Sequence, residues 1–363
     1  MAQGLIQAIA SRAAFRSALV LATAVLAAAC QSLGPTNMAR DRLGYASAIG
    51  ESWKEQMLLN IVKQRYLDTP VYLEVSSVVS SYEATAGVSV GANVFPRASQ
   101  ASNGTVGATG SFTESPTVSY APLTGERLVN SLLRPIPPET IFAMIAAGHS
   151  ADFILRATVR ALNGVYNSST SPSRARREDP RFTAVTEALL RIEQAGALGV
   201  RIEKSEAQSL TYVMLRRDAD EAVQRDIDLV KQTLGIDRSI DELRLVPGAI
   251  RRRPDEIALL TRSMQELMGE LATGVEVPQQ DLLDGRATPR FDSGGGAARL
   301  MRVRSGQEQP ADAYAAARYR GRWFWIDDTD LRSKRIFMFL MMFSSMAESG
   351  AVPQVPILTI PAR

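Results

Sequence analysis

Two alternating, uncharged arms between residues 84 and 112 constrain the fold more than any other feature of the chain. Its first arm reads "EATAGVSVGANVF" and its second arm "TVGATGSF", with the polar sequence "PRASQASNG" between them. From residue 84 to 94 and from 105 to 112 the even positions hold Ala, Val, Phe and one Gly, while the odd positions hold Thr, Ser, Gly and Asn. Because successive side chains of a strand point to opposite faces, this period of two predicts an antiparallel β-hairpin over 83–113.

Two interpretations of this hairpin stay open. Its apolar face could pack on the protein's own domain, as in many antiparallel sheets. Alternatively, the first arm of about 11 residues has the length of a transmembrane strand, and hairpins from several copies could close into one β-barrel. A lone hairpin cannot sit in lipid, because its edges would lack hydrogen-bond partners. The side chains that would face a membrane or a partner are Val88, Val90, Ala92, Val94, Val106, Ala108 and Phe112.

The rest of the chain predicts an α+β fold of mixed helices and antiparallel strands. Helices are predicted at 45–66, from Pro138, and at 151–162, 181–195, 220–234, 254–271 and 336–346. Strands are predicted at 71–82, 198–204, 209–216 and 242–247, with a further antiparallel pair turning at Arg320-Gly321. The polar stretch "NSSTSPSRARREDP" predicts a linker over 167–180, between an N-terminal lobe at 45–166 and a C-terminal lobe at 181–363. Its basic cluster, which contains Arg174, Arg176 and Arg177, could meet lipid phosphates or an acidic partner, although a solvated loop is the default expectation.

Residues 1–29 have the pattern of a signal peptide, followed by a tether over 30–44. Arg12 and Arg16 precede an apolar run that is too short for a spanning helix and ends in three alanines directly before Cys30. This arrangement resembles a bacterial lipobox, which implies that Cys30 carries the acyl chains, palmitate included, of a lipid anchor. Gln31 follows the cysteine, and the resemblance then implies sorting to the outer membrane with the body in the periplasm. The alternative is an ordinary cleaved signal peptide with an incidental cysteine.

The composition limits the chemistry that the chain can carry. Cys30 is the only cysteine and His149 the only histidine, so intrachain disulfides and histidine-rich metal or catalytic sites are disfavoured. The net charge of +3 falls to +1 without Arg12 and Arg16, and so gives no electrostatic footprint for nucleic acid. Asp327, Asp328 and Asp330 could bind a divalent cation, but their place before a helix favours capping. We therefore predict no catalytic residue, no metal and no cofactor.

Three segments, "SWKEQMLLNIVKQRY", "YAPLTGERLVNSLLRPIPPETIF" and "RYRGRWFWIDDTDLRSKRIFMFL", resemble an uncharacterised family of proteobacterial outer-membrane lipoproteins. The resemblance implies no activity and supplies no catalytic residues. The leading hypothesis is a non-enzymatic structural or interaction component of an envelope assembly, with the lipid bilayer and a protein partner or further copies of itself as partners. An oligomeric export channel and a carboxylate-dependent hydrolase of cell wall or glycan are the alternatives.

Overall fold

The computed structural model describes residues 35–93, 103–171, 174–204, 209–289 and 300–347. The chain divides into two compact units, Met1–Glu55 and Gln56–Arg363. Helix α1, Pro35–Arg65, begins in the first unit and ends in the second. The predicted tether over 30–44 is therefore helical from Pro35 onwards, because proline is favoured in the first turn of a helix and no helix breaker follows before Gly44.

A long hairpin follows α1 and forms a sheet of its own. Strand β1, Leu73–Asn93, pairs antiparallel with β2, Asn103–Pro122. The separately predicted strand at 71–82 and the first hairpin arm are one continuous strand, since no glycine or proline interrupts the β-forming residues between them. Helix α2, Gly125–Leu128, and a π-helical turn, Val129–Leu133, come next.

The core of the second unit is a six-stranded sheet in the order β4-β3-β8-β7-β6-β5, in which only β7 and β8 are parallel. Its strands are β3 (Val159–Leu162), β4 (Val165–Tyr166), β5 (Leu198–Lys204), β6 (Ser209–Leu215), β7 (Glu242–Pro247) and β8 (Glu256–Thr261). The helices of this region are α3 (Pro138–Ala146), α4 (Ala151–Thr158), α5 (Pro180–Gln194), α6 (Glu221–Leu234), α7 (Met264–Ala272) and α8 (Gln279–Leu283).

This sheet corrects the predicted division into two lobes at 167–180. Strands β3 and β4 come from the predicted N-terminal lobe and pair with each other, and β3 also pairs with β8 of the predicted C-terminal lobe. Residues 167–180 thus connect two parts of one sheet, and a polar composition did not distinguish such a connection from an interdomain linker.

Two predicted helices are wrong in part, and both contain strands. The helix predicted at 151–162 ends at Thr158 and continues as β3, while the one predicted at 254–271 consists of β8 followed by α7. Both strands are buried in the sheet, so their short apolar runs lack the alternation that marks a half-buried strand. Asn163 and Gly164, with φ of 45° and 81°, form the tight turn between β3 and β4.

A three-stranded sheet in the order β10-β11-β9 and helix α9 complete the described fold. They span Arg304–Gly306 (β9), Ala313–Tyr319 (β10), Arg322–Asp327 (β11) and Leu331–Ala347 (α9). The predicted turn at Arg320-Gly321 is confirmed, with φ of 48° and 78°. The apolar stretch of α9 buries Phe337, Phe339 and Leu340. The predicted α+β fold class is confirmed.

Candidate functional site

The β1–β2 hairpin places the predicted apolar positions on one face of the strand pair. Val88 is the Cα partner of Ala108, Val90 of Val106 and Ala84 of Phe112. Residues that are partners across an antiparallel pair share a face, so the even-numbered residues of the two arms all lie on the same side of the hairpin. Ala92 pairs with Gly104 on this side as well, whereas Val94 lies outside the described residues.

On the opposite face of the hairpin, short hydroxyl side chains lie across from glycines of the other strand. Ser89 Oγ donates to the carbonyl of Gly107 at 3.4 Å, and Thr109 Oγ1 donates to the carbonyl of Gly87 at 3.3 Å. A Cβ on either glycine would come within 3.0 Å of the partner's hydroxyl oxygen. Glycine is therefore needed opposite each of these hydroxyls, and the result is a flat, polar face.

Within the described strands of the hairpin, charged residues lie only in the half nearer the base. Glu83 and Glu114 lie at adjacent levels of the register, and Glu74 forms an ion pair with Arg127 nearer the base. From Ala84 to Asn93 and from Asn103 to Phe112 neither strand carries a charged residue. Ten residues on each strand correspond to a length of about 33 Å.

Neither edge of this hairpin meets another strand within the described part of the chain. Val118 and Tyr120 of β2 are 36% and 56% exposed although both are large and apolar. An isolated two-stranded sheet is only marginally stable in water, and unpaired edges invite further strands. The described hairpin thus leaves the outer edges of both strands open to pairing.

Two side-chain amides of α1 fix the base of the hairpin. Asn60 donates from Nδ2 to the carbonyl of Val71 at 2.8 Å and accepts from the Val71 N–H at 2.9 Å. Gln56 makes the same pair of bonds with Leu73, at 3.0 and 2.8 Å. These amides act as a short extra strand against residues 71–73, because an amide offers one donor and one acceptor as a peptide group does. We call this pair the amide clamp.

The remaining predicted site residues have structural surroundings or lie outside the described ranges. Asp330 caps α9 by accepting from the Ser333 N–H at 3.0 Å, and Asp328 pairs with Lys334 at 2.7 Å. The backbone N–H of His149 donates to the carbonyl of Met144 at 3.1 Å, in the turn between α3 and α4. Cys30 lies outside the described residues.

Within the described ranges, no group of three or more His, Cys, Asp or Glu side chains could hold a metal ion. In the same ranges, no helix combines the length and the hydropathy that crossing a membrane requires.

A cavity that the sequence did not predict lies between residues 166–171 and 174–176 on one side and α7 on the other, with a volume of about 540 Å³. Glu266 and Glu270 line it together, one helical turn apart, which is the type of feature that a carboxylate-dependent hydrolase needs. Both carboxylates have structural partners, however. Glu270 accepts from the Thr170 N–H at 2.8 Å, and Glu266 accepts from the Ser263 N–H at 3.3 Å and pairs with Arg174. The basic cluster at 174–177 was the sequence signal for this region.

Comparison of the chain with models of protein families, with curated proteins and with solved structures gave no match.

Proposed function

We propose that this protein is a lipid-anchored, non-enzymatic component of an envelope assembly and that it assembles through the β1–β2 hairpin. The observation that carries the proposal is a sheet of only two strands, 21 and 20 residues long, with both edges open in the described structure. Such a sheet gains stability when a further strand pairs with its edge.

Further copies of the same chain are the partners that fit this hairpin best. Residues 84–93 of β1 and 103–112 of β2 carry no charge, so pairing of these edges between identical copies brings no like charges together. The edge of β1 on one copy would pair with the edge of β2 on the next. Repetition of such a head-to-tail contact gives a closed ring when the rotation between copies closes.

A lipid anchor on Cys30 would hold these copies at one membrane surface. The proposal rests on the small-residue run before Cys30 in the sequence. Anchoring confines the copies to two dimensions and raises their effective concentration, as tethering does for linked binding sites.

An outer-membrane channel is the second candidate, because one observation favours it. The uncharged part of each strand has ten residues, within the 9–11 that a tilted transmembrane strand needs. In a closed ring of hairpins, the hydroxyl face would line the lumen and the Val/Ala face would meet lipid.

Shortening the hairpin tests its role in assembly. Glu83 and Thr113 are Cα partners, so residues 84–112 can be replaced by Asn-Gly with the register of the base preserved. Light scattering in mild detergent should give a multimer for the full chain and a monomer for the shortened chain. An unchanged urea midpoint would show that the body of the shortened chain still folds.

Three outcomes would contradict parts of this proposal. A strictly monomeric full chain refutes self-assembly, and a shortened chain that remains multimeric refutes the role of the hairpin. A multimer that gives no conductance in planar bilayers refutes the channel alone. Mass measurement of the mature N-terminus tests the anchor separately, and an unmodified Cys30 thiol would refute it.

A further inference from the structure

The cavity between α7 and residues 166–171 and 174–176 has an excess of positive charge among its described lining residues. Arg160, Arg174, Arg176 and Arg262 line it, against the carboxylates of Glu266 and Glu270 only. Ser168, Ser169 and Ser171 add hydroxyl groups to the same wall. A polar cavity of about 540 Å³ is within the size range of small-molecule sites.

Arg262 is the buried arginine of this cavity wall. It is 3% exposed, and its guanidinium donates to three backbone carbonyls: those of Arg156 and Ala157, both at 2.8 Å, and that of Ser168 at 2.7 Å. No described carboxylate forms an ion pair with it. Burial lowers the pKa of Arg262, although the nearby charges of Glu270 and Glu266 act in the opposite direction. A buried cation that is neutralised only at a distance adds positive potential to the cavity above it.

Two further arginines reach the cavity from the rim with donors to spare. Arg176 stacks over the ring of Tyr166 at 3.9 Å from the centroid and makes no ion pair with a described carboxylate. Arg160 lies 3.5 Å from Glu266, a contact that leaves most of its five N–H donors available. A stacked guanidinium is held in one orientation, which favours two-pronged recognition of a planar or tetrahedral oxyanion.

We infer that this cavity binds a small organic phosphate, with Arg160 and Arg176 as the anion-binding side chains. A phosphate monoester carries between one and a half and two negative charges at neutral pH, which matches the excess of two arginines over glutamates in the wall. The serine hydroxyls would donate to the phosphate oxygens or accept from hydroxyls of the organic part. The phosphate could belong to a free metabolite or to a lipid headgroup. The two differ in negative charge, because the phosphate of a headgroup is a diester with a single charge.

Calorimetric titration of the full chain with three soluble probes tests the inference. The probes are inorganic phosphate, glycerol 3-phosphate as a monoester and glycerophosphoglycerol as a headgroup without acyl chains. We expect saturable binding of at least one organic probe, weakened by added salt. The Arg176→Ala variant should raise the dissociation constant about tenfold or more, since it removes charge-assisted hydrogen bonds.

Arg177→Ala is the matched control for Arg176→Ala. Arg177 is the next residue of the same exposed segment, carries the same charge and does not line the cavity. A specific site predicts an unchanged dissociation constant in this control, whereas diffuse attraction predicts equal weakening in both variants. Both side chains are exposed, so neither change should prevent folding.

The two organic probes distinguish the possible sources of the phosphate. Tighter binding of glycerol 3-phosphate assigns the site to a free monoester, and tighter binding of glycerophosphoglycerol assigns it to a lipid headgroup. Absence of saturable binding for all three probes overturns the inference, as does equal loss in the Arg176 and Arg177 variants. None of these outcomes depends on the hairpin or on the anchor.

Discussion

The amide clamp makes a quantitative prediction about the base of the hairpin. Asn60 is 1% exposed, and replacement by alanine removes both of its hydrogen bonds to Val71. Each such bond contributes about 0.5–1.5 kcal/mol net, so the pair contributes about 1–3 kcal/mol. Val71 is 48% exposed, and water can therefore replace part of the loss. We expect Asn60→Ala to lower the free energy of unfolding by about 1–2 kcal/mol.

Gln56→Ala is the matched control for this prediction. It removes the same pair of bonds, to Leu73, from a less buried position of the same helix. Water replaces these bonds more completely, so the expected loss is below about 1 kcal/mol. Urea unfolding, compared at equal m-value, measures the loss of unfolding free energy in both variants. Faster hydrogen exchange at the Val71 amide shows that the loss in Asn60→Ala arises at the base of the hairpin.

Asn60→Asp distinguishes hydrogen bonding from packing. The carboxylate keeps the shape of the amide but sets a second acceptor against the Val71 carbonyl. Burial raises the pKa of such a carboxyl above its unfolded value, so the lost stability returns as the pH falls below the folded-state pKa. The reasoning is refuted if Gln56→Ala costs as much as Asn60→Ala, or if Asn60→Asp is as stable as the wild type at pH 7.

Three further predictions concern single contacts. Burial tends to raise the pKa of Asp330, but the hydrogen bonds from Ser333, together with the backbone N–H and the charge of Arg332, hold that pKa below its usual range. Asp330→Ala should therefore cost about 1 kcal/mol at pH 7, and thermal melts should show this difference shrinking as the pH falls below about 4. The hydrogen bond from Tyr319 lowers the pKa of Asp68, so Tyr319→Phe should raise it in a carboxyl NMR titration, and an unchanged pKa would contradict the contact. Gly235 ends α6 at φ 66°, and Gly235→Ala should cost about 1–2 kcal/mol in urea unfolding, because a Cβ strains the left-handed conformation.

Local patterns predicted the elements whose signals lie within a few residues. Strict parity predicted that Val88 and Ala108 share a face, because a slip by one residue would mix the two faces. Pro138 marked the start of α3, and Arg320-Gly321 marked the turn between β10 and β11. In each case the geometry follows from backbone preferences of the residues themselves.

Tertiary structure alone decided the elements whose identity depends on neighbours. Strands β3 and β8 are short apolar runs that suit a helix as well as a strand, and their place in the six-stranded sheet selects the strand. The single sheet pairs β3 with β8, and the cavity wall contains both Arg160 and Arg262. In each case the residues are about a hundred positions apart in the sequence. No local pattern encodes that proximity, because it arises only when the sheet brings these segments together. The sequence by itself determined the hairpin and the division of its residues between two faces, while the packing of distant segments determined the core and the arginine-lined cavity.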